Sequence, residues 1–223
     1  MAAPDRYAVF GHPVGHSRSP GLHARFAELT GQLIAYEAID VPPGDFEAAL
    51  ERFLTAGGKG LNITVPHKLA AFAAADVLTP RAQHAGAVNT LALQAQGLLG
   101  DNTDGAGLLR DLQHNLEITL AGQRILLVGA GGAARGVLGP LLDAGPESVL
   151  IANRSPARAA ELAARFESDG PVSGVALDGA RDAFDLVINA TSASLSGEVP
   201  ALDTGIIGAH TFCYDLAYGT GPT

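Results

Sequence analysis

Cysteine is almost missing from this chain. Cys213 is the only one in 223 residues, so no disulfide can close within it, and a reducing cytoplasm is the natural setting. Positive charge is also scarce: 14 Lys and Arg stand against 23 Asp and Glu, a net charge of −9. With no basic run, that balance argues against a nucleic-acid surface. It also means that an acidic ligand must be met by local donors rather than by a general positive field. No apolar run is long enough to span a membrane, and the N-terminus lacks the charged-then-apolar pattern of a signal peptide. There is no internal repeat and no low-complexity segment. The seven histidines form no ligand set, so no metal is expected; His12, His16 and His67 read as loop hydrogen-bonders.

What the chain does have is apolar residues, 47% of the total, punctuated by 28 glycines and 13 prolines. That composition is globular, and the length suits two modest α/β domains. One stretch organises the rest, Arg124-Ile125-Leu126-Leu127-Val128-Gly129-Ala130-Gly131-Gly132-Ala133-Ala134-Arg135. A β-branched and leucine run breaks into glycines and then into an alanine-rich helix. Gly129 suits the tight turn, Gly131 lets a backbone approach a pyrophosphate, and Ala134 keeps helix and strand close. The free N–H groups and positive end of the helix complete an anion site. A tight strand–helix turn with no ligand would also use glycine, but the strand before and the helix after favour dinucleotide binding.

The first half alternates strands and helices, which implies a parallel sheet with crossover helices. Strands are expected at 7–10, 34–41 and 60–65, with a hairpin near 88–93 and 98–100. Helices are expected after Ser19, which reads as the cap with Pro20 first in the helix, at 45–55 closed by Gly57-Gly58, and from Pro66. A further helix at 105–115 leaves this domain, and the boundary falls between Gly105 and Gln123. The second half restarts at Arg124, with strands at 125–128, 149–152, 186–189 and 211–214 and alanine-rich helices between them. Its second strand ends in Asn153-Arg154-Ser155-Pro156-Ala157-Arg158, where an NAD site would carry an acidic residue. Arginine suits a 2′-phosphate, because guanidinium binds phosphate bidentately, so NADP is expected. A solvated helix start would account for one arginine but not for both with the asparagine.

Four polar clusters in the first half sit at strand ends, where ligands of parallel α/β sheets gather. They are His16-Ser17-Arg18-Ser19, Asn62-Ile63-Thr64-Val65-Pro66-His67-Lys68, Asn89-Thr90 and Asp101-Asn102-Thr103-Asp104-Gly105, with Lys68 about a turn into its helix. Taken singly, Ser19 is a cap, Asn89 a turn residue, Asp104-Gly105 a helix start and Lys68 a solvated lysine. Taken together, short hydroxyl and amide donors suit a small polyhydroxylated ligand bearing a carboxylate.

The motifs GHPVGHSRSPGLH, NITVPHK, GAVNT, NTDGAG, GAGGAARG, NRSPAR, NATS and YDLAY occur in this order. Together they resemble the shikimate dehydrogenase family, from Tyr7 almost to the last residue. The resemblance implies an α/β chain of two domains, a mixed α/β substrate domain and a Rossmann-type NADP domain facing each other across a cleft. The substrate domain is then 1–104, a linking helix and connection 105–123, and the NADP domain 124–223. Ser17 and Ser19 match the serines that hold the shikimate carboxylate, helped by Tyr218. Thr64, Asn89 and Asp104 match contacts to the ring hydroxyls. Lys68 matches the catalytic lysine, paired with Asp104 for acid–base work. Gly129, Ala130, Gly131, Gly132 and Ala133 match the nucleotide loop, and Asn153, Arg154, Ser155 and Arg158 the segment at the 2′-phosphate. Thr191 and Ser192 resemble the loop under ribose and nicotinamide, with Leu216 beside the nicotinamide. The implied partners are a small substrate and NADP, with no nucleic acid and no membrane, in a monomer or homodimer.

The family pattern continues past YDLAYGTGPT into helices bearing a substrate-contacting glutamine and a glycine at the nicotinamide. This sequence stops at Thr223 without them. Exposed apolar surface and weakened activity are the expected cost. Three readings follow: an NADP-dependent shikimate dehydrogenase; a relative acting on quinate or an aminated analogue, or using NAD; and a fragment that binds nucleotide or shikimate without turnover.

Overall fold

The structure is a computed structural model, and it describes residues 3–193 and 198–218. The chain divides into two compact units, Met1–Thr103 and Asp104–Thr223. Among the described residues no helix is long and apolar enough to cross a membrane.

The first unit runs β1 (Asp5–Gly11), α1 (Ser19–Thr30), β2 (Ile34–Asp40), α2 (Phe46–Thr55), β3 (Gly58–Ile63), α3 (Lys68–Ala74), β4 (Val77–Leu78), α4 (Pro80–Ala85), β5 (Thr90–Gln94) and β6 (Gly97–Asp101). Its sheet has the order β2-β1-β3-β5-β6-β4, with β1 parallel to β2 and β3, and β5 antiparallel to both β3 and β6. These directions matter for the site. The carboxyl end of β3, the start of β5 and the end of β6 lie side by side, in the register Asn62↔Thr90↔Asp101. Ala8 and Phe10 of β1 pack with Phe46, Leu50 and Phe53 of α2 and with Ala71 of α3 into one core. The period of α2 explains its part: Phe46, Ala49, Leu50 and Phe53 fall on one helix face. By contrast α1 buries no residue, and Leu22, Phe26 and Leu29 are each more than half exposed.

The second unit begins with α5 (Asp104–Arg110), which continues as a wider π turn over Asp111–Asn115. It goes on through β7 (Arg124–Val128), α6 (Gly132–Asp143), β8 (Ser148–Asn153), α7 (Pro156–Arg165), β9 (Val172–Ala176), β10 (Phe184–Asn189) and β11 (Ile207–Asp215). Its sheet is parallel throughout, in the order β11-β10-β7-β8-β9. Strand β7 is covered on both faces, which is why it reads as an unbroken apolar run. Ile125 and Leu127 join the core under α6, whereas Leu126 and Val128 pack on the opposite face with Phe184, Val187 and Ile206.

Several expectations need correcting. Ser19 is not a cap: the helix begins with it, Arg18 is the capping position, and the Ser17 hydroxyl accepts from Ser19 N–H at 3.3 Å. Pro66 does not open a helix. His67 N–H closes a turn onto the Thr64 carbonyl at 3.0 Å, so α3 starts at Lys68, which is its first residue rather than a turn inside it. Strand β9, edge strand β4 and helix α4 have no counterpart among the expected elements. Gly174 explains the case of β9: it interrupts the apolar run because α7 crosses so close that a Cβ would lie 2.4 Å from the Ala159 backbone. Between β10 and β11, where a helix was expected, the described residues include the short 3-10 turn Thr204–Ile206.

Candidate active site

In the first unit the polar clusters converge because backbone bonds tie one strand end to the next. Thr64 N–H donates to the Phe10 carbonyl at 2.9 Å, and His12 N–H to Val65 at 2.9 Å, so the loops after β1 and β3 travel together. Gly11 allows this approach, since a Cβ there would meet the Thr64 side chain at 2.3 Å. Val88 N–H donates to the Lys68 carbonyl at 2.9 Å, Ile63 N–H to Asn89 at 2.7 Å, and Asn89 N–H to Asp101 at 3.0 Å. Thr64, Lys68 and Asn89 are thereby neighbours, and Ser17 and Ser19 follow on the loop after β1. All five are partly buried. That loop is itself held by Asp40 at the end of β2, whose carboxylate accepts from Val14 N–H at 3.1 Å and pairs with His12 at 2.8 Å. The His12 contact is the main cause of the lowered Asp40 pKa. His67 is buried, with its Nε2 2.6 Å from the Val41 carbonyl and its ring against Phe46.

A side-chain network runs along the same sheet edge. Tyr36 hydroxyl donates to Asn62 Oδ1 at 2.7 Å, Asn62 Nδ2 to Thr90 Oγ1 at 3.3 Å, and Thr90 Oγ1 to Asn89 Oδ1 at 2.9 Å. Asn89 Nδ2 then donates to Thr103 Oγ1 at 2.9 Å. His23 stacks flat on Tyr36 at 4.0 Å, and burial lowers its pKa against the opposing effect of a bond to Asn62. At the end of β6, Asp101 accepts from Arg81 Nε and Thr79 Oγ1, each at 2.7 Å, and from Asn102 N–H at 2.8 Å. The Arg81 guanidinium, aided by Thr79 and Asn102, holds its carboxyl down at about 2 despite partial burial. The sequence motifs contain Asn62, Thr90, Asp101 and Thr103 without assigning them a role, and they do not include Tyr36 or Arg81. A lone tyrosine on an edge strand carries no local signal.

In the second unit the loop after β7 occupies the place where the strand order reverses. The chain proceeds β7 to β8 to β9 toward one edge, then returns to β10 on the other side of β7. Gly129 has φ +112°, and a Cβ on it would lie 3.1 Å from the Ala190 carbonyl oxygen, so the turn requires glycine. Gly131 takes the capping position of α6 with open space beside it and no side-chain cap, which leaves the first-turn N–H groups of Gly132 and Ala133 for a ligand. Ala134 is fully buried between helix and sheet. At the end of β8, Asn153 Nδ2 turns back to the Ser155 carbonyl at 3.0 Å, and Arg154 and Arg158 are exposed. At the end of β10, Asn189 Oδ1 accepts from Thr191 N–H at 3.1 Å and from its hydroxyl at 2.7 Å, while Leu216 N–H donates to the Asn189 carbonyl at 2.9 Å. Thr191 and Leu216 are thus held by one asparagine; Ser192 and Tyr218 are exposed. Asp104, the first residue of α5, and Tyr218 belong to this unit. Tyr214 hydroxyl donates to Asp111 at 2.7 Å; burial first, then this carboxylate, pushes the phenol up to about 12.

The donor set suits a dinucleotide phosphate: backbone N–H groups at a helix start for the bridging phosphates, and guanidinium groups one strand away for a further phosphate.

Comparison with known proteins agrees. A family model described as the shikimate dehydrogenase substrate binding domain matches residues 9–91, and one described as shikimate / quinate 5-dehydrogenase matches residues 111–196. The NADP(+) shikimate dehydrogenase of Aromatoleum aromaticum is 56% identical over 225 residues, covering 98% of this chain and 80% of that protein. Its counterpart in Methylococcus capsulatus is 55% identical, covering 100% of this chain and 81% of that protein. The structure of shikimate 5-dehydrogenase from Thermus thermophilus, solved with NADP(H) and shikimate, superposes with a TM-score of 0.82 at 38% identity, over 97% of this chain and 80% of that one.

Proposed function

We infer that this chain, which belongs to the shikimate dehydrogenase family, catalyses the reversible NADPH-dependent reduction of 3-dehydroshikimate to shikimate, a step toward aromatic amino acids. It is an oxidoreductase acting on a CH–OH group, and NADP is its cofactor. The observation that supports this most is the register Asn62↔Thr90↔Asp101, which gathers hydroxyl and amide side chains beside Lys68 at one sheet edge.

On this reading Ser17, Ser19 and Tyr218 hold the substrate carboxylate, and Thr64, Asn89 and Asp104 bind the ring hydroxyls. Gly129, Ala130, Gly131, Gly132 and Ala133 receive the pyrophosphate; Asn153, Arg154, Ser155 and Arg158 receive the 2′-phosphate; Thr191, Ser192 and Leu216 flank the ribose and nicotinamide. When bound, NADP supplies or accepts the hydride. Lys68, as the ammonium, donates a proton to the substrate oxygen as charge develops on it; in the reverse direction the amine accepts that proton. Asp104 orients both the lysine and the hydroxyl. The proposed substrate domain is residues 1–104, one residue past the first compact unit, with 105–123 the connection and 124–223 the NADP domain, of which residues 194–197 and 219–223 lie outside those described. The working form is a monomer or homodimer in the cytoplasm.

The test is NADPH formation with shikimate and NADP+, run beside quinate and NAD+. Turnover specific to shikimate and NADP+ is expected. The shikimate / quinate model over residues 111–196 favours quinate as the second substrate, and turnover on quinate alone would replace the present reading.

A further inference from the structure

Among the described residues one buried side-chain nitrogen has no hydrogen-bond partner, the Nε of Arg135. Arg135 is the fourth residue of α6, and its backbone N–H closes the first turn onto the Gly131 carbonyl at 3.0 Å. Its side chain is only 16% exposed, and a guanidinium is costly to bury without acceptors. The helix adds to that cost, because the positive end of its dipole disfavours a cation in the first turn. Glu161 of α7 does little to offset it. That carboxylate is 72% exposed and stands 3.5 Å from Arg135 Nη2, and an ion pair so open to water contributes little. The fold therefore holds a partly desolvated cation, with one donor unspent, beside the N–H groups that it gathers for an anion.

We propose that Arg135 is the counter-charge of the dinucleotide's bridging pyrophosphate, a contact that strengthens NADP and NAD binding alike and leaves the choice between them to Arg154 and Arg158. The proposal rests on the reading of residues 129–133 as the pyrophosphate site. Helix side chains lean toward the N-terminus of their own helix, so Arg135 covers the turn of Gly131, Gly132 and Ala133 rather than the one after it. A phosphate seated on those N–H groups brings the acceptor oxygens that the buried guanidinium lacks. It also turns the dipole from a cost into a shared task, since helix end and arginine then face one anion together. Glu161 draws the guanidinium toward α7 and competes with the phosphate for it. The other two arginines differ in kind, being exposed and placed after the end of β8.

The experiment is calorimetry on the whole chain with three probes: NADP+; ADP-ribose, which carries the pyrophosphate and no 2′-phosphate; and adenosine 2′-monophosphate, which carries the reverse. Arg135→Met keeps the buried stem and removes the charge and its donors. It should weaken ADP-ribose and NADP+ by the same factor, about tenfold, and leave adenosine 2′-monophosphate within about twofold. Arg135→Lys keeps a charge without the fork of donors and should lose about threefold on the same two probes. Glu161→Gln removes the competing carboxylate and should hold ADP-ribose at least as tightly as the wild type. A merely structural role would instead lower the melting temperature and weaken all three probes together, in Glu161→Gln as in Arg135→Met. That pattern, a loss confined to NADP+ and adenosine 2′-monophosphate, or wild-type ADP-ribose binding in Arg135→Met, overturns the proposal alone. Should Arg135→Met fail to fold, unchanged ADP-ribose binding in Arg135→Lys with weakened binding in Glu161→Gln overturns it. No binding of ADP-ribose or NADP+ by the wild type overturns the reading of residues 129–133 and the proposal with it.

Discussion

On the proposed reading, the two units address their ligands by different means. The first builds its site from side chains, with hydroxyls and amides at neighbouring strand ends bonded into a directed network over 36, 62, 89, 90 and 103. The second builds its site mainly from backbone, with a left-handed glycine, an uncapped helix start and two exposed arginines. A mixed sheet brings strand starts and strand ends to one edge and so supplies many side chains. A parallel sheet brings carboxyl ends and helix starts together, and these supply N–H groups. The difference teaches where substitution is tolerated. A side-chain site is tuned residue by residue, whereas a backbone site fails through shape.

Four substitutions would sharpen or break this contrast. Lys68→Ala removes the proposed proton donor and should lower turnover about a thousandfold while shikimate binding stays within about threefold, read by initial rates and calorimetry. Equal turnover would take Lys68 out of the mechanism. Gly129→Val forces a β-branched residue to φ +112° against the Ala190 carbonyl. It should cost about 3 kcal/mol in urea unfolding and abolish NADP+ binding. Arg154→Ala should raise the KM for NADP+ by about tenfold and leave NAD+ nearly unchanged, and equal losses would refute the 2′-phosphate contact. Arg81→Met is the mildest. Asp101 has its folded pKa depressed to about 2, so its stabilisation is present above the ordinary carboxylate range and is lost as pH falls through that value. The variant should be less stable by about 1 kcal/mol near neutral pH, and the gap should close by about pH 2; a gap that persists there would deny the ion pair its role.

Legibility in the sequence follows the same divide. The turn from β7 to α6 could be read because an apolar run buried on both faces, a required glycine and a packed Ala134 all leave local marks. Lys68 and Asn89 could be read only as members of an ordered set of motifs, since neither residue alone departs from an ordinary surface lysine or turn asparagine. Tyr36 and Arg81 were illegible because their partners, Asn62 and Asp101, lie 26 and 20 residues away, and long-range pairing leaves no local pattern. The onset of α3 was misplaced because Pro66 looks like a first helical residue, yet the turn from Thr64 to His67 comes first.

The division of labour is tested most directly by heteronuclear NMR on the whole chain, titrated with shikimate and separately with 2′,5′-ADP. Shikimate should shift the side-chain amides of Asn62 and Asn89 and the backbone amides of Lys68 and Thr103, and leave residues 129–133 unmoved. The nucleotide should shift 129–133 and 154–158 and leave the first unit unmoved. Shikimate shifts confined to residues after Asp104 would contradict the account.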